Sequence, residues 1–465
     1  MRRRNVLGLT ASLAAVHALA GCLAADPDPE NGTGDEDDGG NDEDTNGDDE
    51  NDGDGNGDDD RPNVDEETIA FLTRENRRFA FDLHDELRAR DPDENLFYSP
   101  HSISLAMAMT YGGARGETAD QLAETMHYAL GEDVHFANEA LAYDLDSRSE
   151  LEGEGDGDDA ADDTRSGSPF ELSVANAVWG QDDYPFHEEY LELLETHYGA
   201  GLREIDFRAD PEGARETINQ WVEAETNERI DDLLPAGSIS ELARLVLTNA
   251  IYFQASWETP FDEELTEEAT FTALDGSTST VPMMGRSASL PYAEVDGHQL
   301  VELPYVGREI GMVVLLPAEG EFEAFEDGLE VERFDDILDE LEHTDGRIAL
   351  PRFEYDTGFS MKAILSALGM PIAFDPDEAD FSGLADVEAT DEPLFIHDVF
   401  HEAAITVDEA GTEAAAATGV VVGTTSAPAD PFEMVVNRPF LFAIRDRPTG
   451  ALLFLGRVVD AGSAQ

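Results

Sequence analysis

One cysteine, one lysine and few basic residues of any kind are the scarcities of this 465-residue chain. Cys22, alone, cannot close an internal disulfide, and a single thiol so near the amino terminus reads as an attachment point rather than a redox or metal residue. Lys362 is the only lysine, and 105 acidic residues stand against 27 basic ones for a net charge of −78. Such a field repels nucleic acid and anionic surfaces, which excludes both as partners. The excess does not sit in the amino-terminal tail alone, because residues 63–465 keep 87 acidic and 23 basic residues. That composition resembles proteins adapted to saturated salt, where charge repulsion is screened within about 3 Å.

Catalytic signatures are missing too. No Gly-x-Ser-x-Gly nucleophile elbow occurs. His401-Glu402-Ala403-Ala404 begins like a zinc-protease helix, but Ile405 stands where the second histidine ligand belongs. Neither an enzyme nor a metal or cofactor site is therefore expected.

The amino terminus carries what the rest lacks, a basic start and a weakly apolar run. Arg2-Arg3-Arg4 precedes Asn5-Val6-Leu7 and a stretch ending at Leu19-Ala20-Gly21-Cys22. The run is too short to span a bilayer comfortably and contains His17, so an export signal is expected over residues 1–22. Arg3-Arg4-Asn5-Val6-Leu7 resembles a twin-arginine signal, and Leu-Ala-Gly-Cys resembles a lipobox, in which the cysteine is lipidated and becomes the new terminus. The expectation is a protein anchored by lipid on the outer face of the cell membrane, or secreted. Residues 23–65, rich in Asp, Glu, Gly and Asn, cannot bury enough apolar surface to order and read as an extended acidic tether. Asp52 to Gly57 matches the start of a calcium loop, but Asn63 replaces the glutamate needed at its end, so the match is one of composition. Asn31-Gly32-Thr33 is a glycosylation sequon.

From residue 66 onward the pattern is globular. Glu67 to Arg88 places Ile69, Phe71, Leu72, Phe79, Phe81, Leu83 and Leu87 at roughly helical spacing and is closed by Asp91-Pro92. Ser99-Pro100 is a capping start for a second helix. Residues 146–168 form a second acidic, glycine-rich run, read as a surface insertion. Strand-like Leu172 to Val178 follows, then a helix near Glu188 to Tyr198, and Leu441 to Ile444 is apolar on both faces as a buried strand requires.

The stretch from His401 to Pro428 is unusual. After a β-like run Ile405 to Val407, Gly411 permits a turn, and Thr412 to Thr425 is small and uncharged except for Glu413. Composition leaves Ala414 to Ala417 open to helix. The valines and threonines that follow favour strand. As a strand with Thr412 inward, it would bury Thr412, Ala414, Ala416, Thr418, Val420, Val422 and Thr424 and leave Glu413 in solvent.

Asp408-Glu409-Ala410-Gly411-Thr412-Glu413-Ala414-Ala415-Ala416-Ala417-Thr418 resembles the reactive-loop hinge of serpins, the serine-protease-inhibitor family. The resemblance extends over nearly all of residues 66–460. It includes Asn95 to Ser104, Tyr111 to Thr118, Leu245 to Phe253, Val281-Pro282-Met283-Met284, Leu350-Pro351-Arg352-Phe353, Ala379 to Gly383, Asn437 to Phe442 and Phe454 to Arg457, in order. It implies an α+β serpin fold with three β-sheets, about eight or nine helices and an exposed reactive loop over 409–430, in one domain spanning 66–462.

What the resemblance implies about function is a suicide-substrate inhibitor of a serine protease: the protease cleaves the loop, which then enters the central sheet as an extra strand. The hinge maps onto Glu409, Gly411, Thr412, Glu413, Ala414, Ala415, Ala416 and Ala417, and the family's spacing puts the scissile bond at Thr425-Ser426, within a window of 422–428. Ser99, Ser102, Asn249 and His401 map onto the gate of the sheet and Trp257 onto its top. Glu409 also maps to the top of the sheet, and a basic partner often seen in the family after the Val281 to Met284 motif is absent, since Gly285 occupies that position and Arg286 follows. The small loop residues imply a subtilisin-like or elastase-like partner and a monomeric inhibitor. The alternative is a serpin without inhibitory activity, serving in binding or storage, which usually carries bulky or charged hinge residues.

Overall fold

Capping chemistry sets the first elements. In the computed structural model, which describes residues 61–149, 170–390, 392–412 and 431–465, helix α1 (Glu66–Arg90) starts where the Asp65 carboxylate accepts from the Thr68 amide at 2.8 Å. Glu66 and Glu67 lie at its positive end, Arg88 and Arg90 at its negative end, the order the helix dipole favours. Helix α2 (Pro100–Tyr111) starts on the Ser99 cap with proline in its first turn, and almost every side chain along it is buried.

Fifteen strands are described. The first five are β1 (Leu96–Tyr98), β2 (Phe170–Gln181), β3 (Arg203–Ile205), β4 (Leu245–Ser256) and β5 (Glu267–Thr272). Next come β6 (Thr278–Val295), β7 (His298–Pro304), β8 (Ile310–Leu316), β9 (Glu342–Pro351) and β10 (Phe353–Ser360). The last five are β11 (Ile396–Val407), β12 (Gly411–Thr412), β13 (Phe432–Val435), β14 (Phe440–Asp446) and β15 (Leu452–Val458). Nine α-helices accompany them among the described residues.

One sheet has the order β10-β11-β12-β4-β2-β3. The remaining nine strands form a second hydrogen-bonded network. The 18-residue β6 makes it two sheets in one. Its first part pairs with β5 and β9, and β9 carries β13, which together form a small sheet. Its end, Tyr292 to Val295, pairs with β7 and so leads into β8, β14, β15 and β1. The three expected sheets are thus present, with β6 shared.

Strands β4, β8, β14 and β15 are buried nearly throughout, as their uninterrupted apolar runs require. The larger apolar cluster lies on the α2 side of the six-stranded sheet and takes Leu247, Ile251 and Phe253 from β4 and Val399, Ala403 and Ile405 from β11. On the opposite face Val246, Ala250 and Phe400 pack with Ala214, Ile218 and Val222 of the helix Pro211–Glu225. The central sheet is therefore covered on both faces, and side-chain parity decides which core each residue enters.

Candidate functional site

The seam between β4 and β11 is where a parallel pair meets a missing strand. From Ile396 opposite Leu245 to Ala404 opposite Tyr252 the two strands pair directly in parallel. Above Ala404 they part, and Gly411-Thr412 occupies the gap: Thr412 pairs with Val407 on one side and Ala255 on the other, and Gly411 pairs with Ser256. The head of the loop is already a strand.

Its turn is held by Asp408, whose carboxylate accepts from the amides of Ala410 at 2.8 Å and Gly411 at 3.1 Å. Sequence alone assigns Gly411 to the turn. The structure gives another reason, since a Cβ on Gly411 would sit 2.1 Å from the Ala255 carbonyl oxygen and 2.8 Å from the Ser256 Cα. Glycine is needed because two backbones close on each other there. Thr412 is 1 % exposed and its hydroxyl shares a 2.8 Å hydrogen bond with the buried Tyr305 hydroxyl. Thr412, expected to pass inward as the loop enters, is therefore inside before any cleavage.

Trp257 supports this head from below. Its indole N–H donates to the Asp408 carbonyl at 3.0 Å, its amide to the Ala410 carbonyl at 2.9 Å, and its ring stacks on Tyr305 at 4.5 Å. Beside it, the buried Glu409 carboxylate accepts from the Thr266 hydroxyl at 2.6 Å and from Arg352 at 2.5 Å. Burial opposes the Glu409 charge, but Thr266 and Arg352 outweigh it and hold the carboxyl below its ordinary range. Arg286 does not fill this role. It donates to the Thr259 carbonyl and lies over the Phe261 ring at 5.2 Å, and burial pushes its guanidinium down to about 10. The basic partner of Glu409 is Arg352, in the Leu350-Pro351-Arg352-Phe353 segment.

Lower in the seam, three polar residues lie in one row across three strands, because Asn176 of β2 pairs with Asn249 of β4 and Asn249 with His401 of β11. The His401 Nε2 accepts from the Ser99 amide at 3.2 Å, so Nδ1 carries the proton and donates to the Asn249 Oδ1. The Asn249 amide donates in turn to the Ser102 hydroxyl at 2.7 Å and to the Asn176 Oδ1 at 2.5 Å. Ser102 also donates to Asn176 at 3.0 Å, while Ser99 donates to the Leu453 carbonyl at 2.7 Å. Complete burial pushes His401 down to about 3, keeping the imidazole neutral. The structure thus brings together Ser99, Ser102, Asn249 and His401, and adds Asn176, which shares its strand face with Phe170, Leu172, Val174 and Val178.

Glu413, Ala414, Ala415, Ala416 and Ala417 of the hinge, Thr425-Ser426 and Cys22 lie outside the described residues.

A seam closed by a buried polar row and headed by a two-residue strand is the arrangement the hinge resemblance implied. The family model for serpin (serine protease inhibitor) matches residues 74–461. The chain belongs to the serpin family. It is 39% identical over 385 residues to an uncharacterized serpin-like protein of Thermococcus kodakarensis, covering 82% of this chain and 84% of that one. It is 35% identical over 396 residues to the leukocyte elastase inhibitor of Homo sapiens, covering 83% and 98%. Among solved structures, the thermophilic serpin tengpin in the native state superposes with a TM-score of 0.72 at 29% identity, covering 86% of this chain and 96% of that one.

Proposed function

We propose that this serpin inhibits a serine protease as a suicide substrate, with the loop after Thr412 completing the strand that Gly411-Thr412 begins. The observation that carries the reading is the seating of those two residues between Val407 and Ala255. Continuing that register down the seam puts Ala414 beside Ile405 and Phe253, and Ala416 beside Ala403 and Ile251. Thr418 then falls between His401 and Asn249. As the strand enters, the His401–Asn249 hydrogen bond must break, and the Thr418 hydroxyl arrives where it can serve both partners. The barrier at the gate is thereby repaid in kind.

The small inward residues need no side-chain rearrangement, and the outward Glu413 stays in water. Each residue inserted adds ladder hydrogen bonds and buries apolar surface, so the uncleaved state is a kinetic one. Cleavage forms an acyl-enzyme on the target; insertion before deacylation carries the target away and distorts its active site. The target class follows from Val422 to Ala427, which are small or β-branched, with Thr425-Ser426 as the scissile bond. A subtilisin-like or elastase-like protease fits, and the likeness to a leukocyte elastase inhibitor supports the second. The inhibitor acts as a monomer, held outside the cell by lipid on Cys22, in a salt-adapted archaeal setting that the likeness to an archaeal serpin-like protein supports.

The deciding experiment mixes the full chain with subtilisin and with elastase in molar salt. Inhibition gives a complex that survives denaturing electrophoresis, and mass spectrometry of the released peptide gives the bond. A cut at an arginine outside 422–428 overturns the target class. Cleavage without any complex, and without a rise in heat stability, overturns inhibition itself.

A further inference from the structure

Of the three arginines buried among the described residues, two have a carboxylate partner: Arg244 meets Glu392 at 2.9 Å and Arg457 meets Glu326 at 3.3 Å. Arg286 of β6, 6 % exposed, has none among the described residues. Its one hydrogen bond there runs from Nη1 to the Thr259 carbonyl. Glu258, the acid whose charge Arg286 feels, is spent on Arg308. A buried charge left unpaired is costly, and the 105 acidic residues of the chain supply no partner for this one among the described residues.

The unused donors of Arg286 have a definite shape. A guanidinium presents Nε–H and Nη2–H side by side, two parallel donors that one acceptor can bridge. In Arg286 neither bonds to a described residue; Nε is enclosed while Nη2 is not, so the fork opens toward the surface at one end. Arg77 and Arg457 also leave Nε unbonded, but their Nη2 atoms are taken by Asp335 and by the Pro92 carbonyl. Of these three, only Arg286 keeps the whole fork.

The surroundings limit what can fill it. The guanidinium lies over the Phe261 ring at 5.2 Å, which covers one of its faces, and Nη1 is held by Thr259. A single-atom anion can bridge the two donors from the open edge. A bulky organic acid cannot reach the enclosed Nε. The place also matters, because Thr259 lies in the loop whose Trp257 amide donates to the Ala410 carbonyl at 2.9 Å and whose Phe261 amide donates to the Glu409 carbonyl at 2.8 Å. Arg286 braces the loop that supports the hinge.

We propose that the Nε–Nη2 fork of Arg286 is a binding site for a small monatomic anion, a halide such as chloride, which neutralises the buried cation beside the loop that holds Glu409 and Ala410. Molar salt fills even a weak site, since at about 1 M a dissociation constant of about 0.1 M leaves it about nine-tenths occupied. The inference stands apart from protease inhibition and holds whether or not the reactive loop is inhibitory.

Chlorine-35 line broadening tests it on the full, uncleaved chain, with sodium chloride raised against sodium gluconate at constant ionic strength so that diffuse screening does not change. The expected result is a saturable excess line width that fits one site and is displaced by bromide. Arg286→Met should abolish it. Arg286→Lys keeps the charge and a donor for Thr259 but has no fork, so it should weaken chloride at least tenfold. Arg347→Met, at an exposed arginine on the neighbouring β9, should leave the line width unchanged. Should Arg286→Met not fold, Arg286→Lys decides. No saturable excess width in wild type, an undiminished width in folded Arg286→Met, wild-type affinity in Arg286→Lys or loss of the width in Arg347→Met would each overturn the proposal.

Discussion

Replacing Thr412 with arginine separates a loop that must enter the sheet from one that merely rests on it. Thr412 lies between Val407 and Ala255, almost wholly buried, with Tyr305 as its hydrogen-bond partner. An arginine there brings a charge into a closed apolar seam. The penalty of an unpaired buried ion after relaxation is several kcal/mol. Releasing the hinge instead strands the buried Tyr305 hydroxyl, which costs about 1–3 kcal/mol. The chain takes the cheaper course, so Thr412→Arg should hold its hinge out of the sheet and lose the hydrogen bonds from Trp257 to the Asp408 and Ala410 carbonyls. Insertion after cleavage must still pass the arginine through the seam. A barrier raised by about 3 kcal/mol slows insertion more than a hundredfold, and deacylation then wins.

The assay is the partition between stable complex and cleaved product against the target protease, together with tryptophan emission of the uncleaved chain. Thr412→Val is the control. It keeps the shape, removes the hydroxyl and adds no charge, so it should lower stability modestly and retain most complex formation. If Thr412→Arg forms as much complex as wild type, entry of residue 412 into the sheet is not part of the mechanism. If its emission is also unchanged, the seating of the hinge is itself wrong.

Arg352→Ala should lower the unfolding midpoint by the equivalent of about 1–3 kcal/mol, because it leaves a buried carboxylate with only Thr266; Arg286→Ala should leave the environment of Glu409 unchanged, and the reverse ranking in a side-by-side urea melt would refute the pairing. Stability should fall as pH drops from 6.5, since burial pushes His401 down to about 3 and His101 and His135 down to about 4, so that the unfolded chain takes up protons that the folded one refuses. Each histidine then costs up to about 1.4 kcal/mol per pH unit. Glu402, pushed up to about 7 by burial and by Asp356, Asp231 and Asp232, has the opposite sign between 4.5 and 7 and offsets part of the loss. A urea midpoint that stays flat from pH 7 to 5 would show these imidazoles to be hydrated. Replacing Cys22 with serine should release the protein from the membrane fraction, and unchanged retention would refute lipidation at that residue.

Local chemistry made much of this protein legible before any coordinates. The Ser99 cap, the acidic start and basic end of the first helix, and the apolar runs of β4 and β14 depend on neighbours within one turn or on strand parity, and sequence displays both directly. The inward face of Thr412 was readable for the same reason: it faces the core with Ala255 and Val407, the phase that would leave Glu413 in solvent. Tertiary structure decided whatever depended on distant chain segments meeting. Arg352 reaches Glu409 across 57 residues, and Asn176 joins Asn249 across 73 because β2 and β4 fall into one register. No local pattern marks either, since one arginine or asparagine looks like another until strand pairing assigns its neighbour. Gly411 is the sharpest case. Its type was visible, but the reason for it was two backbones closing to a distance only the folded sheet sets.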